Sequence, residues 1–217
     1  MTLSTPSTPS ASTTLLLVRN GQTVWHADRR HAGISDVPLT DEGRRQAGQL
    51  ARWASRHPVD AIWTSTLSRA VETAEPACRA LGLVPGRDPD LCECDFGAVE
   101  GRSLAEFAAQ DPERAEAYRA DPVINAFPGA EDPRVAAARG TTALRRIADG
   151  HPGQRVLVVA HNTLLRLVLC ELLSIPLGEY RRVFPRLVDA AVSEVRLGED
   201  GGALLSLNLP SAPDPGP

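Results

Sequence analysis

A chain of 217 residues that is 42% hydrophobic can bury one full core and is too short for two comfortable domains. Its formal net charge of -4 excludes a broad basic face for nucleic acid, so an anion must be met by locally gathered arginines. All 23 basic side chains are arginine, and the absence of lysine excludes a phosphate-loop lysine, a Schiff-base lysine and a lysine general base.

Residues 1–13, "MTLSTPSTPSAST", have neither a basic start nor an apolar stretch of signal-peptide length and are expected to form a disordered tail. The run "LLLV" (15–18) predicts a buried strand ending at Arg19, Asn20 and Gly21. Thr40 predicts a helix cap: Asp41 and Glu42 suit the positive end, and Ala47, Leu50, Ala51 and Ala54 recur at helical spacing. A second strand, "AIW" (61–63), leads into "TSTLSRA" and a helix marked by Leu67, Ala70, Val71, Ala74 and Leu81. Cys92 and Cys94 flank Glu93, but no second pair or nearby histidine completes a tetrahedral set, so no metal is expected. With Cys78 and Cys170 they lack the spacing of a disulfide framework and fit free thiols in a reducing cytoplasm.

Between Glu93 and His161 the chain is helical and punctuated by proline, and residues 102–131 are expected to form a lid. Ser103 reads as a helix cap, and Phe96, Phe107, Tyr118 and Phe127 either shape that lid or pack ordinarily. "VLVVA" (156–160) predicts a third strand ending at His161 and Asn162. The stretch from Leu164 to Leu173 is apolar nearly all round, which predicts a helix buried between other elements. "SEVRL" and "ALLSLNL" read as weaker closing strands, and residues 209–217 as a Pro/Gly tail. No apolar run is long enough to span a bilayer, and no membrane partner is expected.

Strands alternating with helices imply one α/β domain over 14–208, a three-layer sandwich whose mostly parallel sheet carries helices on both faces. In such sheets the ligand crevice lies beyond the carboxyl ends of the strands. That rule brings Arg19, Asn20, Ser65, Arg69, His161 and Asn162 to one edge. Two arginines, a histidine and a carboxylate suit a phosphate monoester: guanidinium forks match phosphoryl oxygens, and a carboxyl group can protonate a leaving alcohol.

Five segments extend this chemistry. Arg19-Asn20-Gly21-Gln22-Thr23 resembles the Arg-His-Gly-Glu/Gln-Thr signature of the histidine phosphatase superfamily, the phosphoglycerate mutase-like family, with the histidine replaced. "SDVPLTDEGRRQA", "TSTLSRAVETA", "LCECDFGAVEG" and "VVAHNTLLR" resemble four further segments of that family, in its order. The resemblance implies that Arg19 and Arg69 clamp a phosphoryl group, that His161 donates to it and that Glu93 protonates the leaving oxygen. Gln22, Thr23, Arg30 and Asn162 are implied substrate contacts, no cofactor is implied, and the partner is a small phosphorylated or otherwise anionic metabolite. The short lid resembles phosphatases more than mutases.

Position 20 carries the family's attacking imidazole, and an amide cannot replace it, because its nitrogen lone pair is delocalised into the carbonyl. His26 stands where the family often has asparagine, so it is either a phosphate donor or a displaced nucleophile. His31 and Arg29 read as solvated loop residues. Three accounts of Asn20 follow. It is a nucleophile removed by engineering or natural loss from a phosphatase, now weak or inactive. It marks a natural variant repurposed for elimination or isomerisation. Or the chain is a phosphoester-binding regulatory protein without catalysis. A homodimer is left open.

Overall fold

The apolar strand runs are unbroken because both faces of the sheet are covered. The computed structural model describes residues 11–26, 28–199 and 201–211, and most of both expected tails lies outside them. In chain order the elements are β1 (Thr13–Arg19), α1 (Asp41–Ala54), β2 (Ala61–Thr64), α2 (Ser68–Leu81), β3 (Gly86–Arg87), α3 (Leu104–Ala108) and α4 (Pro112–Ala120). There follow α5 (Pro133–Asp149), β4 (Arg155–Ala160), α6 (Asn162–Leu172), α7 (Tyr180–Val183), β5 (Val192–Gly198) and β6 (Gly201–Leu209). The sheet order is β3-β2-β4-β1-β5-β6, with the β1-β5 and β5-β6 pairings antiparallel and the other three parallel.

Side chains alternate across this sheet with the period of two that a strand imposes. Leu15, Leu17, Val156 and Val158 face α5 and α6, while Leu16, Val18, Leu157 and Val159 face α1 and α2. All eight are essentially inaccessible, and each contributes about 1.5–3 kcal/mol of burial, which is why β1 and β4 read as continuous apolar runs. The helix caps follow their sequence signals. Thr40 Oγ1 accepts from the Gly43 N–H, and Ser103 with Glu106 forms a reciprocal capping box at the start of α3. Val99, Phe107, Ala115, Tyr118 and Phe127 form a separate small core beneath α3 and α4.

The strands reach one residue past the expected domain limits, to Thr13 and Leu209. β3 and the short α7 have no counterpart in the sequence reading, and α5 lies in the stretch between Glu93 and His161 for which the sequence predicts helix only in general terms. β3 is only two residues long. α5 buries Ala136, Ala137, Gly140, Thr141, Ala143, Leu144, Ile147 and Ala148, so the first part of its inner face is built of small residues and bulky ones enter only at Leu144 and Ile147.

The turn after β1 lies directly on the first turn of α1. A Cβ on Gly43 would stand 2.1 Å from the Gln22 carbonyl oxygen, which is backbone and cannot swing aside. Gly43→Ala is therefore expected to cost about 1–3 kcal/mol through overpacking, and thermal denaturation should show a Tm fall of several degrees. An unchanged Tm would mean that the turn can retreat freely.

Candidate active site

The parallel ladders decide which side chains meet. β1 pairs Arg19 with Ala160 of β4, and β2 pairs Thr64 with Val159, so Asn20, Ser65 and His161 leave the sheet side by side. The Asn20 N–H donates to Ala160 O at 2.9 Å and the Ser65 N–H to Val159 O at 3.1 Å, carrying the ladder one residue further. Asn20 Nδ2 donates to Gly21 O at 2.9 Å, and Asn20 Oδ1 lies 3.1 Å from His161 Nδ1. An amide oxygen only accepts, so the proton of the neutral ring sits on Nδ1. His161 Nε2 then accepts from Ser65 Oγ at 2.7 Å. Both ring nitrogens are thus engaged within the protein.

Two arginines approach from different elements. Arg69, in the first turn of α2, is 2% exposed and gives its Nη groups to the carbonyls of Ser35 and Gly33. Arg19, at the end of β1, donates through Nη1 to Leu187 O at 2.7 Å. Its Nε lies 3.0 Å from Asp189 Oδ1, an ion pair by distance whose two atoms are not aligned as a hydrogen bond. Arg19 Nη2 is 3.1 Å from His26 Nε2, and the Thr23 N–H is 3.2 Å from His26 Nδ1. A neutral imidazole accepts at one nitrogen only, so these two donors compete for a single lone pair.

Glu93 is held at the N-terminus of α6. Its Oε2 accepts the Thr163 N–H at 2.9 Å and its Oε1 the Leu164 N–H at 2.8 Å, so the carboxylate occupies the positive end of the helix. Arg139 of α5 fixes the same segment by donating to the carbonyls of Asp90, Cys92 and Glu93.

Arg19, Asn20, Arg69, Glu93 and His161 line one cavity of about 270 Å³, together with His26, Arg30 and Asn162. Gln22 and Thr23, expected as substrate contacts, do not line it. Gln22 Oε1 accepts from Thr40 Oγ1 at the start of α1, and Gln22 instead lines a neighbouring cavity together with Arg19, His26 and Arg30, whereas Thr23 is fully inaccessible. Arg30 is committed to Glu106 and to Gly101 O. His31, expected in solvent, is half-buried with its edge against Phe96 at 5.2 Å and Phe127 at 5.7 Å, and it lines the cavity. Sequence reasoning places Ser65 at this edge without a role and does not single out Asp189, Arg166, Tyr180 or Arg181. Arg166 carried a usable signal, four residues beyond Asn162 on a helix, whereas Asp189 carried none. Cys94 is buried, Cys92 Sγ lies 3.1 Å from Thr66 Oγ1, and no cluster of metal-ligating side chains occurs among the described residues. Nor is any helix among them long and apolar enough to cross a membrane.

Burial, and then the Arg19 cation, push His26 from 6.5 down to about 4. Burial, and then Arg69, push His161 well below 6.5. As pH drops below about 6.5 the unfolded chain binds protons at both rings, and the folded chain resists. Their stabilisation is complete above that pH and, for His26, is lost as pH falls to about 4, at up to roughly 1.4 kcal/mol per pH unit per ring. Thermal melts between about pH 7.5 and 4.5 should show a falling Tm, and His26→Gln should flatten the slope by one ring's share. A slope indifferent to that substitution would mean that the ring protonates as freely as in water.

Comparison with known proteins agrees with this fold. A family model described as "Histidine phosphatase superfamily (branch 1)" matches residues 15–210. The chain is 38% identical over 183 residues to "Bifunctional protein Rv2228c" of Mycobacterium tuberculosis, covering 84% of this chain and 50% of that protein. It therefore spans about half the length of that relative. It is 36% identical over 184 residues to "Probable phosphoglycerate mutase GpmB" of Cronobacter sakazakii, covering 82% of each. Among solved structures, Bacillus stearothermophilus YhfR matches with a TM-score of 0.85 at 29% identity, covering 91% of this chain and 97% of that one.

Proposed function

The chain belongs to the histidine phosphatase superfamily (branch 1), and from that membership we propose that its cavity takes the phosphoryl group of a small phosphorylated metabolite, with hydrolysis impaired by Asn20. One observation carries the reading: Arg19, Arg69, His161, Glu93 and position 20, drawn from separate strand ends and helix starts, line the same cavity. In this reading the two guanidinium groups neutralise the phosphoryl oxygens. Glu93 stands at the leaving-group side, where it would protonate the departing alcohol. Asn20 offers only hydrogen bonds, so no phosphoenzyme forms at that position.

Two measurements on the chain as it stands test this. Calorimetric titration with inorganic phosphate should give saturable binding, and an aryl phosphate such as p-nitrophenyl phosphate should turn over very poorly. Absence of phosphate binding would refute the pocket, and brisk turnover would refute the impairment.

The repurposing account gains support from one specific arrangement. Burial and Arg19 hold His26 uncharged at neutral pH, and the ring lies against Arg19 on the cavity wall, so it is a neutral base beside the anion pocket. If His26 works as that base, His26→Gln removes whatever turnover the chain retains. Turnover that survives the substitution excludes it.

A further inference from the structure

We propose that Glu100, which does not line the cavity, is a positioning residue for it: the Glu100 carboxylate aims the loop whose carbonyls hold Arg69 and ties that loop to the segment bearing Glu93. The proposal rests on the phosphoryl reading of the cavity and adds what sets the Arg69 guanidinium in place.

A guanidinium carries five N–H bonds. Two of those on Arg69 go to Ser35 O and Gly33 O, and the side chain makes no other hydrogen bond among the described residues, which leaves the rest for an anion. Where the fork points is therefore set by residues 33–35, which lie in no helix or strand. A loop without a ladder of backbone bonds needs side-chain partners for its N–H groups if it is to hold one shape.

Glu100 supplies them. Its Oε1 accepts the Ile34 N–H at 2.9 Å and the Phe96 N–H at 3.1 Å, and its Oε2 accepts the Ser35 N–H at 2.9 Å and the Ser35 hydroxyl. The Gly33 carbonyl and the Ile34 N–H belong to one planar trans peptide and so point in opposite directions. Glu100 grips one side of that peptide and Arg69 the other. Gly33 permits the close seat: its φ is +49°, and a Cβ there would stand 1.7 Å from Glu100 Oε1. Asp36 fastens the far end of the loop, its Oδ1 accepting the Ser68 N–H at 2.9 Å one residue before Arg69.

The bonding of Glu100 is not that of a surface charge. Four donors converge on a half-buried carboxylate, three of them backbone N–H groups and one a hydroxyl, and none is a cation. Burial disfavours the charge on Arg69, and among the anions that oppose this Glu93 contributes more than Glu100, so the part Glu100 plays is geometric before it is electrostatic. Phe96 lies three residues beyond Glu93, so one carboxylate joins the loop behind Arg69 to the stretch of chain that carries Glu93.

Calorimetric titration with inorganic phosphate of the parent, Glu100→Gln, Arg69→Gln and the double variant tests the role. Glutamine keeps the length but turns an amide N–H₂ toward groups that themselves donate. We expect Glu100→Gln to weaken phosphate binding about tenfold. The double variant should bind no more than about twofold more weakly than Arg69→Gln alone, because Glu100 acts only through Arg69. Ile147→Val, a core substitution away from the cavity, is the control for lost stability: its Tm falls while its phosphate affinity stays. If Glu100→Gln does not fold, Glu100→Asp takes its place, since it keeps the charge and is one methylene too short for the loop N–H groups, and the same two results are expected of it. Unchanged affinity on substituting Glu100, losses that add in the double variant, or an equal loss in Ile147→Val would each overturn the positioning role alone. A parent that binds no phosphate would overturn the phosphoryl reading and this role together.

Discussion

Asn20→His is expected to raise kcat/KM for an aryl phosphate by about four orders of magnitude, equivalent to roughly 5.5 kcal/mol of transition-state stabilisation. The local geometry already suits an imidazole. Asn20 Nδ2 donates to Gly21 O, and a ring Nδ1–H can make the same bond because it leaves Cγ at the corresponding position. The ring Nε2 then extends beyond the reach of the amide and carries the free lone pair that attack on phosphorus requires. A second effect accompanies the first. A ring CH replaces Asn20 Oδ1, so the His161 Nδ1–H loses its acceptor and becomes available to a phosphoryl oxygen. The expected signature besides turnover is an acid-labile phosphohistidine at position 20 after rapid quenching. If the parent proves as active as the variant, the attacking group lies elsewhere, and His26→Ala in the parent should then abolish activity.

Arg69→Gln is the other large expected change, with inorganic phosphate binding weakened by about ten- to a hundredfold, as expected for losing a charged hydrogen-bonding group worth about 1.5–3 kcal/mol. Two further consequences distinguish Arg69 from an ordinary surface charge. Its Nη groups satisfy the carbonyls of Ser35 and Gly33, so the substitution should also lower Tm by leaving buried acceptors short of donors. Arg69 is also the largest charge contribution holding His161 below 6.5, so NMR titration should show the ring moving upward while burial keeps it below that value. Full retention of phosphate affinity would remove Arg69 from the anion site. A stationary His161 titration would mean that the two groups are not electrostatically coupled.

Much of the architecture could be read from the chain because its causes are local. β1 and β4 announced themselves as unbroken apolar runs, since a strand covered on both faces needs no polar alternation. Thr40 and Ser103 marked helix starts, since a side-chain oxygen three residues before an unpaired N–H is sufficient to cap it. Arg19, Asn20 and His161 could be assigned to one edge before any contact was known, since parallel strands end together.

What escaped the sequence depends on partners distant along the chain. The limits of α5 were hidden because its close approach to α6 favours alanine and Gly140 over bulky residues along its first half, so the packing itself weakened the periodic signal there. Thr23 belongs to the same short motif as Arg19, yet it is fully buried, and contact with α1 ties the Gln22 amide to Thr40. The same holds for Asp189 beside Arg19, for Ser65 on His161, and for Arg166 and Arg181 around Tyr180. Residue type and spacing determined the strands, the caps and the chemistry delivered to the sheet edge. Only tertiary packing decided where each polar group points and whether its charge is already paired, because those properties arise between segments that the chain order keeps far apart.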